Sequence, residues 1–277
     1  MRDAGPPDLP QIAAVALAAG QDEEWGGADA AYVTHLLAHG RVVVGVQAGT
    51  VVGFGAIRTI GRGPGAVSML SDLFVDPRLH GSGCGRAMLG RLWPVAGRRM
   101  TFSSLHGHAL PLYATFGLDA WWPLLYLRGR VDAVAAPDGW EVESGTPVEV
   151  AALELSWTGV DRSEDHLAWS RRPAGASLLA RRGGQVLAAG TVGGAGGEYG
   201  VTHLALAPSA DAVGAVLAVL ASLRPPDARA LVCLPGPHPA VRPLLAAGWR
   251  VAEFDLHMAT DPALLDPRRA VPSPALA

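Results

Sequence analysis

The stretch DPRLHGSGCGRAML, Asp76–Leu89, decides the fold of this chain. Gly81, Gly83 and Gly85 stand at alternate positions in it, directly after an apolar strand-like run and directly before an apolar helix-like run. Glycines at this spacing let the backbone curl tightly with its N–H groups pointing inward, and a helix N-terminus adds about half a unit of positive charge. The stretch therefore predicts a strand, a loop and a helix that together suit a pyrophosphate.

Two other phosphate-binding motifs also use glycines, and their spacing excludes both. A dinucleotide fingerprint starting at Gly83 needs Gly or Ala at position 88, where this chain has Met88. A P-loop ends in Gly-Lys-Ser/Thr, and all 22 basic residues here are arginines. Arg86, in the first turn of the predicted helix, is placed to donate to a phosphate; the alternative is an arginine on a solvated helix surface.

The composition is that of a globular protein and excludes several classes of partner. The chain has 277 residues, 49% of them hydrophobic, and a formal net charge of −3, so it offers no positive field for DNA or RNA. Its two cysteines, Cys84 and Cys233, make no disulfide framework, and no apolar run reaches membrane-spanning length. We therefore expect a cytoplasmic protein with neither a nucleic acid nor a membrane as partner.

An internal repeat relates the two halves of the chain. The run Leu73–Pro77 (LFVDP) aligns with Leu204–Pro208 (LALAP), and Pro111–Gly117 (PLYATFG) aligns with Arg242–Gly248 (RPLLAAG). Both alignments have an offset of 131 residues, without a gap between the two blocks. A period this long indicates a duplicated α/β domain and excludes a solenoid of short repeats.

The predicted domains follow from this repeat. The first domain is 1–135, the second is 136–261, and 262–277 is predicted to be a flexible tail. The boundary lies in a segment rich in Ala, Gly, Pro and acids, Val131–Gly145. Periodicity in the first half predicts helices and strands in this order: helices 8–19 and 28–39, strands 41–47, 51–60 and 67–75, a helix from the loop to about 94, strand 100–104, helix 108–116 and strand 121–130.

Two blocks of sequence resemble a known family. The run Leu73–Pro77 followed by His80–Arg86 (HGSGCGR) is similar to the acyl-CoA signature of the GNAT acetyltransferase superfamily, and Ala109–Gly117 (ALPLYATFG) is similar to its later Leu-Tyr helix. His80 stands where the family pattern has Arg or Gln, and His106 stands where many members have Asn.

The resemblance implies an α/β (α+β) fold with two tandem GNAT-like domains, each a mixed, mostly antiparallel twisted sheet flanked by helices. It also implies acetyl-CoA, or another acyl-CoA, as cosubstrate, with no metal. The pyrophosphate is expected on the loop amides, and the pantetheine arm along the strand before the loop. The expected cosubstrate-binding residues are Leu73, Phe74, Val75, His80, Gly81, Ser82, Gly83, Cys84, Gly85 and Arg86.

The same resemblance implies direct transfer with Tyr113 as the general acid that protonates the departing thiolate. A phenol with a pKa of about 10 keeps its proton at neutral pH. The general base stays open. Asp72 is the only carboxylate inside the strand before the loop, but strict alternation puts it on the face opposite Leu73 and Val75, and only a bulge would change that parity. His106 and His108 are alternative proton relays. The thiol of Cys84 fills a small space, although a helix N-terminus would lower its pKa.

The offset of 131 also predicts what the second copy has lost. It sends His80 to Asp211, Gly85 to Val216 and Tyr113 to Leu244, so the second copy has a carboxylate at the loop entrance and no phenol. We expect this copy to bind no CoA and to support the first.

The expected function is transfer of an acetyl group from acetyl-CoA to a primary amine of a small molecule. The expected assembly is a monomer, as an internal pseudo-dimer, or a weak homodimer. One alternative is a non-catalytic acyl-CoA-binding or regulatory protein. Another is aminoacyl transfer from charged tRNA, which the net acidity and the complete loop disfavour.

Overall fold

The computed structural model describes residues 1–20, 30–93, 97–195, 197–225 and 227–276. Their contacts divide the chain into two compact units, each treated separately below. Unit 1 consists of Met1–Asp119, Met258–Asp261 and Leu276. Unit 2 consists of Ala120–His257 and Pro262–Ala275. The sequence prediction puts its boundary after residue 135, whereas the strand that begins at Asp119 lies almost entirely in unit 2.

Unit 1 is a mixed sheet with helices on both faces. The strand order is β1-β2-β3-β4-β5, with antiparallel pairs up to β4 and a parallel β4/β5 pair. The first two residues of the predicted helix 28–39 lie outside the described residues, and the remainder is α2. The elements are β1 (Arg2–Asp3), α1 (Leu9–Ala18), α2 (Ala30–His39), β2 (Arg41–Gln47), β3 (Thr50–Ile60), β4 (Val67–Val75), α3 (Cys84–Leu92), β5 (Arg98–Ser103) and α4 (Ala109–Ala114).

Strand β4 parts from β5 halfway along its length. The β4/β5 register pairs Val67 with Arg98 and ends where Leu70 pairs with Thr101. On its other side β4 stays paired with β3 as far as Val75. Among the described residues, the second half of β4 therefore has a backbone edge without a strand partner, directly before the glycine loop.

A β-bulge lies at the point where the two strands part. Ala56 pairs with Asp72 and Ile57 with Leu70, so Ser71 is the extra residue. The sequence alone does not show whether this strand contains a bulge, and the structure shows that it does. Leu73 and Val75 lie against α3, since a Cβ added at Gly85 would meet both side chains at 3.9 Å. The side chain of Asp72 points to the other face of the sheet, toward α2.

The strands of unit 2 follow the order β12-β6-β11-β10-β9-β8-β7. Strands β10 and β11 pair in parallel, as β4 and β5 do in unit 1. Helices α5 and α6 have no counterpart in the sequence prediction. The elements are β6 (Asp119–Arg130), β7 (Trp140–Gly145), α5 (Pro147–Thr158), α6 (Ser163–Ser170), β8 (Ala176–Arg182), β9 (Gln185–Ala195), β10 (Glu198–Leu206), α7 (Ala212–Ser222), β11 (Arg229–Pro235), α8 (Val241–Ala246) and β12 (Arg250–Ala259).

The two units share the bulge as well as the strand pattern. In unit 2, Val201 pairs with Val192 and His203 with Thr191, so Thr202 is the extra residue. Ser71 and Thr202 are 131 residues apart, which is the offset of the sequence repeat. The structure thus confirms the duplication at a detail that no sequence pattern marks.

The segment after β12 packs against unit 2, where the sequence predicts a flexible tail. The amide of Leu204 donates to the carbonyl of Val271 at 3.1 Å. Val271 and Ser273 are buried, and the guanidinium of Arg269 donates to the carbonyls of Ala207 and Ala210. Apolar burial and backbone pairing hold this segment in place. Among the helices of the described residues, none has the length and hydropathy needed to cross a bilayer.

Candidate acyl-CoA site

The glycine loop between β4 and α3 has the conformation that its sequence predicts. Gly81 and Gly83 adopt left-handed φ angles of 80° and 86°, which a side chain with a Cβ would strain. Gly83 is the residue before the first turn of α3, so the chain reverses directly into the helix. The loop therefore places a helix N-terminus at the end of β4.

The amides of this loop are available to an anion. In the part of the chain that the structure describes, the N–H groups of Gly81, Gly83, Gly85 and Arg86 have no hydrogen-bond acceptor. They surround the positive end of the α3 dipole. The guanidinium of Arg86 is exposed and has no ion-pair partner within the described ranges. This arrangement is suited to a phosphate or pyrophosphate.

A cavity of about 630 Å³ in unit 1 joins the loop to the unpaired edge of β4 and to α4. It brings together most of the residues that the sequence predicts for acyl-CoA and for proton transfer. Tyr113, on α4, contributes to its wall although only 6% of the residue is exposed. The predicted residues on the wall are Leu73, Phe74, Val75, His80, Gly81, Gly83, Cys84, Gly85, Arg86, His106, His108 and Tyr113.

Three histidines form one edge of this cavity. The ring of His80 lies 5.2 Å from that of His106 and 5.9 Å from that of His108, measured between ring centroids. The Nε2 atom of His80 lies 3.1 Å from the carbonyl oxygen of Val75, which fixes the loop to the end of β4. His80, which stands where the family pattern has Arg or Gln, therefore helps to hold the loop in its conformation.

Basic side chains are prominent on the cavity wall. They are Arg86 and the three histidines, and no Asp or Glu occurs among the described residues of the wall. The nearby Asp76 is held by Arg78, whose hydrogen bonds lower the pKa of that carboxyl to about 2. The wall therefore favours an anionic ligand.

Asp72 does not line this cavity. The residue is 7% exposed, and its carboxylate accepts a hydrogen bond of 2.8 Å from the hydroxyl of Tyr32, on α2. The structure thus brings the predicted acid Tyr113 to the loop and leaves the predicted base Asp72 on the opposite face of β4. Tyr32 was missed by sequence reasoning, because it lies 40 residues before Asp72 and belongs to no motif.

The thiol of Cys84 is a packing group. A Cβ added at Gly45 would lie 3.0 Å from its Sγ atom, and one added at Gly53 would lie 3.4 Å from it, so the sulfur rests against β2 and β3. Burial raises the pKa of the thiol, against the lowering that its place at a helix N-terminus predicts. Cys84 thus contributes to the cavity wall while its thiol packs against the sheet.

The corresponding place in unit 2 is closed. Asp211 precedes α7 and accepts a hydrogen bond of 3.1 Å from the amide of Val213, so a carboxylate of the chain itself caps this helix. A Cβ at Gly214 would lie 2.5 Å from Nε1 of Trp140. Loop amides that are open in unit 1 are thus replaced by a capped and packed helix start.

Comparison with known proteins finds a similar sequence family and similar folds. Residues 12–118 match the sequence model of the acetyltransferase (GNAT) family. No curated protein sequence matches the chain. A candidate acetyltransferase of Pyrococcus horikoshii superposes with a TM-score of 0.74 at 15% identity, over 100% of this chain and 95% of that one.

Two further solved structures are similar at comparable identity. A GCN5-related N-acetyltransferase of Anabaena variabilis gives a TM-score of 0.62 at 13% identity, over 93% of this chain and 71% of that one. A tandem GNAT protein from the clavulanic acid biosynthesis pathway gives 0.61 at 16% identity, over 93% of this chain and 97% of that one. At such identities the likeness establishes the fold. Residues 12–118 are therefore similar in sequence to the GNAT acetyltransferase family, and the chain as a whole has a fold similar to that of a tandem GNAT protein.

Proposed function

We propose that this protein transfers an acetyl group from acetyl-CoA to the primary amine of a small molecule. The observation that carries the proposal is the single cavity that joins the loop amides, the unpaired edge of β4 and Tyr113. An acyl-CoA has a pyrophosphate, an amide-bearing arm and a thioester in the same linear order. The pyrophosphate would contact the loop amides, the arm would contact the edge of β4, and the thioester would lie near Tyr113.

In the proposed reaction, the lone pair of the neutral amine attacks the thioester carbonyl carbon and forms the C–N bond. A backbone N–H on the free edge of β4 is suited to stabilise the developing oxyanion. The C–S bond then breaks, and the sulfur takes a proton from the hydroxyl of Tyr113. The amine loses one proton to a base or to water, and that proton restores the phenol, so the products are an amide and CoA.

Asp72 is proposed as the base only through an intervening group, since it does not line the cavity. His106 and His108 are the alternative proton acceptors on the wall itself. The absence of a carboxylate from the described wall favours the second candidate function, an acyl-CoA-binding protein without transferase activity.

One assay separates these two functions. The full chain is incubated with acetyl-CoA and a panel of small primary amines, and CoA release is followed with a thiol reagent. Transfer to at least one amine above the background hydrolysis supports the proposed enzyme. Tight binding of acetyl-CoA with no transfer across the panel supports the non-catalytic alternative.

We expect one acetyl-CoA per chain. The reason is that the amides at the start of α3 are open, whereas Asp211 already occupies the corresponding position before α7. Isothermal titration calorimetry of the full chain measures the ratio directly. The matched variant Asp211→Ser keeps a capping side chain and removes the charge, and it should leave the ratio unchanged. Two equivalents bound to the wild-type chain would contradict the closed second site.

A further inference from the structure

A cluster of polar side chains lies buried inside unit 2, and none of its residues belongs to the acyl-CoA cavity of unit 1. Glu154 lies on α5, His166 on α6, and His203 on β10 directly after the bulge. They are 3%, 0% and 7% exposed. The Nε2 atom of His166 is 2.7 Å from one oxygen of Glu154, and that of His203 is 2.9 Å from the other. We call these three residues the buried triad.

The triad has the ligand types and spacing of a transition-metal site. One nitrogen or oxygen atom from each residue lies within 4.8 Å of the other two. Two imidazoles and one carboxylate form a common ligand set for zinc, at metal–ligand distances of roughly 2.0–2.2 Å. Ligand atoms around such an ion are roughly 3.3 Å apart in tetrahedral geometry. Small side-chain rotations would therefore admit an ion.

Neighbouring residues contact the side chains of the triad and orient them, as outer-sphere residues orient the ligands of a metal site. The hydroxyl oxygen of Thr191 lies 3.0 Å from Nδ1 of His166, so it can fix the orientation of that ring. The Nε atom of Arg162 lies 3.2 Å from an oxygen of Glu154. Arg162 is in turn 3.5 Å from Asp165, which balances its charge. The carboxylate ligand is thus oriented by a partner of its own.

Aromatic packing closes the cluster. The ring of Trp169 lies 5.1 Å from that of His166 and 5.3 Å from that of His203, measured between centroids. The packing encloses the cluster, and its three residues leave the fourth position of a tetrahedral ion to a further ligand such as water.

The triad stands at a position that the duplication changed. His203 follows the bulge of unit 2 as Asp72 follows the bulge of unit 1. In unit 1 the residue after the bulge, Asp72, accepts a hydrogen bond from the hydroxyl of Tyr32 on a helix. In unit 2 it is bonded by a carboxylate that also bonds a second imidazole. The second copy therefore has a set of ligand-type residues at the place where the first has the hydrogen bond between Tyr32 and Asp72.

We propose that the buried triad binds one divalent transition-metal ion of the zinc class, which joins α5, α6 and β10. This proposal is independent of acetyl transfer.

The test is the metal content of the full chain, produced with zinc in the medium and without a histidine tag. Elemental analysis should find one zinc per chain, and cobalt substitution should give visible absorption bands of a low-coordinate site. Glu154→Gln and His203→Gln should remove the metal. Thr191→Val, which removes the outer partner of His166, should weaken zinc binding about 10- to 100-fold.

Two matched variants exclude other histidines. His238→Gln changes a buried histidine of unit 2 outside the triad, and His106→Gln changes the exposed cluster at the acyl-CoA cavity. Both should keep the metal. If the triad variants do not fold, the wild-type chain decides: removal of zinc by a strong chelator should lower its melting temperature, and added zinc should restore it. A wild-type chain without stoichiometric metal, or loss of metal with His106→Gln alone, would overturn the proposal.

Discussion

Replacing Tyr113 by phenylalanine is expected to lower kcat by about 10²- to 10⁴-fold, the usual contribution of a general acid. Acetyl-CoA affinity should change little, because the ring of Tyr113 is buried on α4 and phenylalanine keeps its packing against Trp93. Steady-state CoA release with the best amine of the panel measures the first quantity, and calorimetry with acetyl-CoA measures the second.

The matched control for this experiment is Tyr199→Phe, which removes a phenol hydroxyl from β10 in unit 2, far along the chain from the cavity. Its turnover should equal that of the wild type. Should Tyr113→Phe turn over at the wild-type rate, the phenol has no part in the mechanism, and a water molecule or His108 must protonate the thiolate.

Changing Gly85 to valine, the residue that the repeat offset gives in the second copy, is expected to weaken acetyl-CoA binding by roughly 10²- to 10³-fold. A Cβ at this position would already lie 3.4 Å from Leu112, so the larger side chain must displace Leu112 or fill the cavity. Overpacking costs roughly 1–3 kcal/mol, and a lost hydrogen bond to a charged group costs roughly 1.5–3 kcal/mol. The stated loss of affinity corresponds to about 2.8–4.2 kcal/mol, which lies within the sum of these two costs, about 2.5–6 kcal/mol.

Gly90→Val provides the control for Gly85→Val. Gly90 lies on the same helix, and a Cβ there would meet no atom within 4 Å. Binding of acetyl-CoA, measured by calorimetry, should be unchanged in this variant. Equal losses of affinity in both variants would mean that valine harms the helix itself, and the loop would no longer be assigned to the pyrophosphate.

The local part of the site could be predicted from the sequence, because the loop and the helix that follows it are encoded within 14 consecutive residues, Asp76–Leu89. Tyr113 could be placed because its helix has a recognisable pattern of its own. The contact between Tyr32 and Asp72 could not, since it depends on how α2 packs on the sheet. The bulge at Ser71 was equally invisible, because any residue can occupy such a position.

The second unit was harder to predict for the same reason. Helix α5 begins at a capping box of Thr146 and Glu149, a local signal that the sequence does contain. The buried triad has no such signal, since Glu154, His166 and His203 are separated by unrelated segments and meet only in the folded unit. The pairing of β6 with β11 is also non-local, so periodicity predicts the strand but not its partner.

That pairing limits how the protein can be shortened. Strand β6 forms seven register pairs with β11, from Leu124 with Pro235 to Arg130 with Arg229. A recombinant fragment ending at residue 135 would carry this long strand without β11, and an unpaired apolar edge favours aggregation. Such a fragment should therefore be recovered mainly as insoluble material. Biophysical work on the proposed acyl-CoA loop is better served by the full chain, whose second copy is already closed, than by truncation.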